Sequence, residues 1–183
     1  MSSDLCKAAA AGDVETIELL LTMEDIDVNA TSNAGGQTAV HVAAEAGKTE
    51  AVQTLGRFGA DMNIQDDRYR TPLFYAATTD SSTLNLIRAL VSFGADVNAR
   101  EDRQHYTPLH FAAKRSPSSS SRRAIGALLS CAADVDAKGW RQVTPLYLAI
   151  QSLNIDAAKL LVRGGADVHA CCREDLVSKR KGR

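Results

Sequence analysis

Hydrophobic positions along this chain recur with the spacing of short amphipathic helices. In three segments, apolar residues three or four positions apart form a single stripe: Val14, Ile17 and Leu21; Leu84, Ile87 and Leu90; and Ile155, Ala158 and Leu161. Such spacing places side chains on one face of a helix. Each predicted helix leads into a run that resembles Ala-Asp-Val-Asn, which favours an exposed, hairpin-like finger. We predict that glycine ends the helix in several units, at Gly59, Gly94 and Gly165.

A second motif predicts another, shorter helix ahead of these stripes. Thr-Pro-Leu begins at Thr71, Thr107 and Thr144, and a degenerate copy, Thr-Ala-Val-His, begins at Thr38. Threonine accepts a backbone N–H at a helix N-terminus, and proline suits the first helical position because its missing N–H would be unpaired there. Alanine pairs follow three of the copies, and such small side chains let a neighbouring helix approach closely: Ala43-Ala44, Ala76-Ala77 and Ala112-Ala113.

The finger motif sets the period of the chain. Its aspartates lie 33 to 38 residues apart, at Asp27, Asp61, Asp96, Asp134 and Asp167. A period of this length indicates an array in which each unit contacts only its neighbours. Such an array has no central cavity, so the period favours binding along a surface over catalysis in a pocket.

These residues resemble the ankyrin-repeat family, most strongly at Thr107–His110 and Gly94–Ala99. The resemblance implies an all-α solenoid of antiparallel helix pairs joined by hairpin-like fingers, with a concave face formed by the fingers and the first helices. We predict an ankyrin-repeat domain over residues 1–172 and a basic C-terminal tail over 173–183. The five predicted repeats are about 1–30, 31–63, 64–98, 99–136 and 137–170.

Several departures from the family pattern carry their own expectations. The first unit has Ser3-Asp4-Leu5-Cys6 in place of Thr-Pro-Leu, which is typical of an N-terminal cap. The glycine two residues before threonine is kept as Gly36, but Tyr69, His105 and Gln142 replace it elsewhere. The fingers before Thr38 and Thr107 also hold one extra residue, so we expect irregular finger tips. The run Ser116–Ser121 has no apolar residue to bury and predicts a mobile loop, either a plain linker or a site of phosphorylation beside basic residues.

Charge and composition restrict the function without naming a partner. The formal net charge of the 183 residues is −1, so affinity for nucleic acid or membrane would need a local patch. No segment has the roughly 18 apolar residues that span a bilayer, and the N-terminus lacks a signal-peptide pattern. We therefore expect a monomeric protein of the cytoplasm, or of the nucleus if the basic run Lys179–Arg183 is a nuclear signal. The four cysteines, Cys6, Cys131, Cys171 and Cys172, are expected to be free thiols.

Motifs for catalysis or cofactor binding are missing from the sequence. It contains no glycine-rich phosphate loop, no Cys-x-x-Cys and no His-Glu-x-x-His, so we expect no metal, no cofactor and no enzymatic activity. Histidines occupy one position of the repeat at His41 and His110, where the resemblance implies that the imidazole bonds to finger backbone. His169 stands where other units carry asparagine or aspartate, which favours a role in the turn.

Arginine and large aromatic residues concentrate where the fingers and first helices would face a partner. Such residues are frequent in binding hot spots. Neighbouring acids, among them Asp66 and Glu101, could instead neutralise the arginines. The predicted binding residues for a protein partner are Arg68, Tyr69, Arg70, Arg103, His105, Tyr106, Lys114, Arg115, Trp140 and Arg141.

Two further hypotheses stay open at the level of the sequence. Nucleic acid or another acidic surface would be bound through Lys114, Arg115, Lys138, Arg141 and the basic tail, although the overall charge makes nucleic acid the less favoured partner. Ankyrin proteins resembling this one are substrates of an asparaginyl hydroxylase. The candidate sites are Asn29, Asn63 and Asn98, each eight residues after a leucine, a spacing that the structural repeat alone would also produce.

Overall fold

The computed structural model describes residues 2–23, 26–31, 35–80 and 83–170. These ranges contain ten α-helices, arranged as one antiparallel pair in each predicted unit, a single 3-10 turn at Trp140–Gln142 and no β-strand. The all-α solenoid implied by the sequence is therefore confirmed. The pairs are α1 (Ser2–Ala11) with α2 (Val14–Met23), α3 (Ala39–Glu45) with α4 (Thr49–Arg57), α5 (Pro72–Thr78) with α6 (Thr83–Ser92), α7 (Pro108–Lys114) with α8 (Ser119–Ser130), and α9 (Pro145–Gln151) with α10 (Ile155–Arg163).

Helices of the same kind stack on one another to form two layers. The first helices contact in the order α1, α3, α5, α7 and α9, and the second helices in the order α2, α4, α6, α8 and α10. All six alanines of the predicted pairs are fully buried in the first layer. Ile17, Ile87, Leu90 and Leu161 of the stripes are fully buried in the second layer. Several of these helices have only seven residues, so their stability depends on this stacking.

Imidazole groups join a helix N-terminus to the next finger, as the resemblance implied. His41 Nδ1 accepts the backbone N–H of Thr38 at 3.2 Å, so the ring proton lies on Nε2, which donates to the Arg70 carbonyl at 3.0 Å. His110 repeats the arrangement, with Nδ1 accepting from Thr107 at 3.1 Å and Nε2 donating to Val143 at 3.0 Å. Both histidines are fully buried, and each connects two consecutive units.

The third unit lacks this connection because Phe74 occupies the histidine position. The phenyl ring is buried and packs edge-on against Phe111, with ring centroids 5.3 Å apart. A phenyl ring has no acceptor for the threonine group, and the buried Thr71 hydroxyl has no hydrogen-bond partner in the described structure. At this position the boundary between the third and fourth units therefore has a phenyl ring where the neighbouring boundaries have an imidazole.

A ladder of polar side chains joins the turns that follow the second helices. Each amide oxygen accepts the backbone N–H of the turn aspartate in the next unit: Asn29 from Asp61 at 2.8 Å, Asn63 from Asp96 at 2.7 Å, and Asn98 from Asp134 at 2.8 Å. Asp136 continues the ladder by accepting from Asp167 at 2.9 Å. The backbone amide of His169 donates to Asp167 at 2.8 Å, and a role of its imidazole in the turn stays a prediction.

The ends of the second helices use the left-handed backbone region. Gly59, Gly94 and Gly165 have φ of 81°, 92° and 95°, so the prediction that glycine caps these helices is confirmed. The fourth unit keeps the same geometry without glycine, because Ala132 has φ of 63°. An alanine Cβ crowds the following carbonyl oxygen in this region, so Ala132 holds a strained conformation.

The finger tips are more regular than the sequence analysis predicted. Gly36, Tyr69, His105 and Gln142 stand at the same position and all have φ between 52° and 68°. The finger over residues 66–70 closes when Asp66 N–H donates to the Arg70 carbonyl at 3.0 Å. The finger over 101–106 contains one more residue and closes from Glu101 to Tyr106 at 3.1 Å. The extra residue is accommodated within the tip; part of the finger before Thr38 lies outside the described residues.

The serine-rich insert is not a mobile loop, and that prediction was wrong. Helix α8 begins within the run, and the Ser118 hydroxyl caps it by accepting from the Ser121 amide at 3.1 Å. Ser121 is 1% exposed, and its hydroxyl donates to the Ala112 carbonyl at 2.9 Å. Serine hydroxyls therefore replace the missing apolar contacts, and phosphorylation of Ser120 or Ser121 would require the helix to open.

The sequence analysis also made predictions about the cysteines, the basic tail and membrane-spanning segments. Cys6 is buried and Cys131 half-buried, and neither belongs to a disulfide in the described residues. Cys171, Cys172 and the basic tail lie outside the described residues. Within the described ranges, no helix is long and apolar enough to cross a membrane.

The buried histidines make stability depend on pH. Burial lowers the pKa of His110 from 6.5 to about 4, and burial also lowers the pKa of His41. Between these pH values the unfolded histidine binds a proton that the folded chain excludes. The contribution of His110 to the free energy of unfolding is therefore complete above pH 6.5 and falls as the pH drops towards 4. We expect the free energy of unfolding to decrease by about 3 kcal/mol over this range from His110 alone.

Urea unfolding at several pH values between 4 and 7.5 measures this effect. His110→Gln should reduce the dependence on pH, whereas His169→Gln, which changes an exposed histidine, should leave it as in the wild type. An equal dependence on pH in all three proteins would contradict the assignment.

The strained cap at Ala132 predicts a stabilising substitution. Ala132→Gly removes the Cβ from a left-handed backbone, and we expect the free energy of unfolding to rise by about 0.5 to 1 kcal/mol once the greater freedom of glycine in the unfolded chain is included. The matched substitution Gly59→Ala should lower the free energy of unfolding by a similar amount. Urea unfolding at neutral pH compares the two, and a lower midpoint for Ala132→Gly would show that the cap is unstrained.

Candidate partner-binding site

Four basic residues surround one aromatic ring where two fingers meet the first helices. Arg68 and Arg70 come from the 66–70 finger, Arg103 from the 101–106 finger and Lys114 from the end of α7. They line two adjacent depressions of about 290 and 260 Å³, and Phe111 lies on the wall of both. We call these four residues, with Phe111, the Arg70 cluster.

The acidic residues beside the cluster do not pair with its arginines. Asp66 is buried and accepts the backbone N–H groups of Arg68 at 2.8 Å and Arg70 at 2.9 Å. The Tyr75 hydroxyl donates to the same carboxylate at 2.5 Å. Burial, together with this hydrogen bond, raises the pKa of Tyr75, which keeps the phenol protonated as a donor. Asp66 therefore shapes the finger backbone.

Glu101 performs the same task in the next finger. Glu101 is 5% exposed, and its carboxylate accepts the backbone N–H groups of Arg103 at 3.0 Å and Gln104 at 2.6 Å. In the part of the chain that the structure describes, no ion pair involves Arg68, Arg70, Arg103 or Lys114. The alternative that Asp66 and Glu101 neutralise the arginines therefore fails at these two positions.

The guanidinium of Arg70 lies over the Phe111 ring, 4.8 Å from its centroid. Its Nε atom is buried and has no hydrogen-bond partner in the described structure. The backbone beneath is fixed, because the Arg70 amide donates to Asp66 and its carbonyl accepts from His41. Arg70 is therefore a positioned cation with unused donor capacity.

Trp140 is exposed in the next finger, as the sequence analysis predicted. Its side chain is 52% exposed, and the Arg141 guanidinium lies 4.2 Å from the centre of the indole. The Trp140 amide donates to the Gln104 carbonyl at 2.6 Å, which attaches this finger to the preceding one. The indole and the Arg70 cluster thus belong to one run of connected fingers.

Tyr106 packs inside the array, although it was predicted as a binding residue. Only 7% of it is exposed, and its ring stacks on His110 with 4.8 Å between centroids and 7° between planes. A Cβ at Gly139 would approach the Tyr106 ring within 2.4 Å, so the next finger covers it closely. Tyr106 therefore stabilises the boundary between units four and five and offers a partner little surface.

Arg115 also has a structural role that the sequence did not reveal. Its guanidinium donates to the carbonyls of Thr78 and Thr79 and pairs with Asp80 at 2.8 Å. Its own carbonyl accepts from the buried Asn154 side chain at 2.9 Å. Arg115 therefore connects units three, four and five, and its donors are already engaged.

The remaining predicted residues are accessible. Arg68, Tyr69, Arg103, His105, Lys114 and Arg141 are exposed, and Arg70 is partly buried. Sequence reasoning missed the aromatic wall of the site, which Tyr75 and Phe111 supply from the position after the histidine position. The second unit has Val42 there and the fifth unit has Leu148, so a change from aliphatic to aromatic was the available signal.

The asparagines considered for hydroxylation all have structural partners. Their amide oxygens hold the ladder described above, and the Asn63 amide nitrogen also donates to the Gly94 carbonyl at 2.9 Å. Nothing in the fold separates this structural use from modification, so hydroxylation of Asn29, Asn63 or Asn98 stays a prediction.

A third depression, of about 500 Å³, lies on the fifth unit and is almost wholly apolar. Ile150, Leu153, Ile155 and Val162 line it and are 46% to 80% exposed. Ile150 stands where Ala113 is fully buried by the following unit. This surface is therefore the stacking face of the fifth unit and is separate from the Arg70 cluster. Over the described ranges, no group of His, Cys, Asp or Glu side chains is arranged to hold a metal ion.

Comparison with known proteins identifies the family. A model of ankyrin repeats matches the chain in three overlapping copies, over residues 5–101, 55–139 and 85–171. Together with the stacked helix pairs, this match shows that the chain belongs to the ankyrin-repeat family. Ankyrin repeats are generally protein–protein interaction modules.

Among individual relatives, the chain is similar to the ankyrin regions of much larger proteins. It is 31% identical to human neurogenic locus notch homolog protein 2 over 147 residues, 80% of this chain, and 33% identical to human notch homolog protein 1 over 132 residues, 72% of it. These stretches are 6% and 5% of the relatives' lengths. A mouse protein named tRNA endonuclease ANKZF1 is 39% identical over 90 residues, 46% of this chain and 12% of that protein.

The structural role of Arg115 can be separated from partner binding by comparing adjacent residues. We expect Arg115→Met to lower the free energy of unfolding by about 2 kcal/mol, because it removes the charged donor from two partly buried carbonyls. Lys114→Met removes the same charge from an exposed position and should change stability by less than about 0.5 kcal/mol. Urea unfolding measures both, and equal midpoints would show that the Arg115 contacts are dispensable.

Proposed function

We propose that this chain binds a protein or peptide on the concave face formed by its fingers and first helices, as an adaptor, scaffold or inhibitor. The observation that carries the proposal is the exposed Trp140 indole, stacked with Arg141 and attached through its finger to the neighbouring Arg70 cluster. An exposed indole beside arginines is the composition of a binding hot spot. The family supports the class of function, since ankyrin repeats commonly serve protein interaction.

Binding on such a face needs little rearrangement. The finger backbones are closed by their own hydrogen bonds, and Asp66 and Glu101 fix the amides of the arginine-bearing tips. A surface that is ordered before binding loses little conformational entropy, so a few anchored side chains supply most of the affinity.

Nucleic-acid binding is the second candidate, and the local basic residues favour it. Arg68, Arg70, Arg103 and Lys114 occupy two neighbouring units, whereas a nucleic-acid backbone requires several regularly placed cations along its length. The net charge of −1 also opposes it. We rank it below protein binding, and we further propose that the chain is not an enzyme and acts in the cytoplasm or nucleus.

The proposal predicts that two finger residues carry much of the affinity. Trp140→Ala combined with Arg103→Ala should weaken partner capture at least about tenfold, because both remove exposed contact area at the proposed face. The melting temperature should change little, since neither side chain is buried. The measurement is quantitative affinity capture from cell extract, followed by titration of each captured protein against the purified chain.

A matched double variant provides the control. Arg88→Ala with Arg123→Ala removes two exposed arginines from the outer helices α6 and α8 and should leave capture unchanged. Loss of capture in this control, or full capture by the Trp140 and Arg103 variant, would place the binding surface elsewhere.

A further inference from the structure

We infer that the Arg70 cluster binds a carboxylate side chain within an acidic peptide segment of the partner. This inference rests on the proposed function, because it assigns chemistry to one part of the same face. Its argument depends on the position of Arg70, on the charges left unpaired around it and on the shape of the two depressions.

Arg70 is held in one orientation before any ligand arrives. Its amide and carbonyl are hydrogen-bonded to Asp66 and His41, and its guanidinium lies 4.8 Å from the Phe111 centroid. Stacking of this kind limits the rotamers of a side chain that is otherwise flexible. A fixed guanidinium presents paired donors to a carboxylate at a smaller entropic cost than a free one.

The charges around Arg70 favour an anion. Arg68 lines the first depression with it, and Arg103 and Lys114 line the second. The carboxylates of Asp66 and Glu101 accept hydrogen bonds from finger amides, which leaves the arginine donors unpaired. Each depression also contains one acid, exposed Glu45 in the first and buried Glu101 in the second. The second has three cations against the first's two and is therefore the more favourable of the two for a carboxylate.

Size and chemistry favour a peptide over a nucleic acid. Each depression, of about 290 or 260 Å³, accepts a side chain or two and does not form a continuous groove. The face of Phe111 is covered by Arg70, and its ring also packs edge-on against Phe74, so it is not free to stack on a base. The site therefore suits glutamate or aspartate side chains on an extended segment.

Fluorescently labelled hexaglutamate provides a defined probe. We expect it to bind the whole chain saturably at low salt, as followed by fluorescence anisotropy, with affinity that falls as salt is added. Arg70→Gln should weaken binding at least about fivefold. Arg70→Lys should weaken it about threefold, because it keeps the charge and loses the stacked fork. Arg88→Gln, which removes one exposed charge from the outer helix α6, should change affinity less than about 1.5-fold.

The outcomes separate binding at Arg70 from a general electrostatic attraction between the chain and the probe. Equal losses for Arg70→Gln and Arg88→Gln would overturn the inference, as would the absence of saturable binding. Tighter binding of a labelled oligothymidylate than of hexaglutamate, lost in Arg70→Gln, would overturn it in favour of nucleic acid. If Arg70→Gln does not fold by circular dichroism, Arg103→Gln tests the second depression, where we expect about a threefold loss and where an unchanged affinity counts against the inference.

The proposed function can survive failure of this inference. If Trp140→Ala with Arg103→Ala abolishes capture of a natural partner while Arg70→Gln and hexaglutamate competition have no effect on it, the concave face binds a protein without using Arg70 for a carboxylate. If capture is unaffected both by Trp140→Ala with Arg103→Ala and by Arg70→Gln, the partner binds to a surface other than the concave face.

Discussion

Stacking of one helix pair on the next is the constraint on which this molecule depends. The first helices of units two to five have seven residues each, too few to persist alone in water. Fully buried alanines allow these helices to approach closely, and leucine and isoleucine fill the second layer. Each unit therefore completes the core of its neighbour, and this stacking does not require the exposed side chains of the fingers.

Polar contacts between units add specificity to this apolar stack. His41 and His110 each satisfy a helix N-terminus and a finger carbonyl, while the asparagine ladder joins the turns. Both devices fix how one unit is placed on the next, because their bonds form only when the register is right. Fixed placement brings Arg103 and Lys114 beside Arg70, although these residues lie in separate units.

The sequence predicted the repeating parts of the structure and failed where a single unit departs from the pattern. Periodic motifs gave the helix pairs, the glycine caps and the imidazole bonds, since each follows from local chemistry. The serine-rich run was misread because two of its partners are distant along the chain: Ser120 donates to Asp80, 40 residues away, and Ser121 accepts from Asn154, 33 residues away. Tyr106 and Arg115 were taken for surface residues for the same reason: Gly139 of the fifth unit covers Tyr106, and Arg115 bonds to residues of the third unit. The aromatic wall at Phe111 likewise requires knowing which finger lies above it.

The alternation of histidine and phenylalanine along the first helices gives the array unequal boundaries. His41 joins units two and three and His110 joins units four and five, whereas Phe74 gives the boundary between three and four no histidine to protonate. Protonation of either imidazole would break its Nδ1 bond to threonine and leave a buried positive charge at that boundary, so units three and four should separate from their neighbours before they separate from each other. The fingers that bear Arg70 and Arg103 belong to units three and four. The surface that they form should therefore persist in acid after other units have separated from the array.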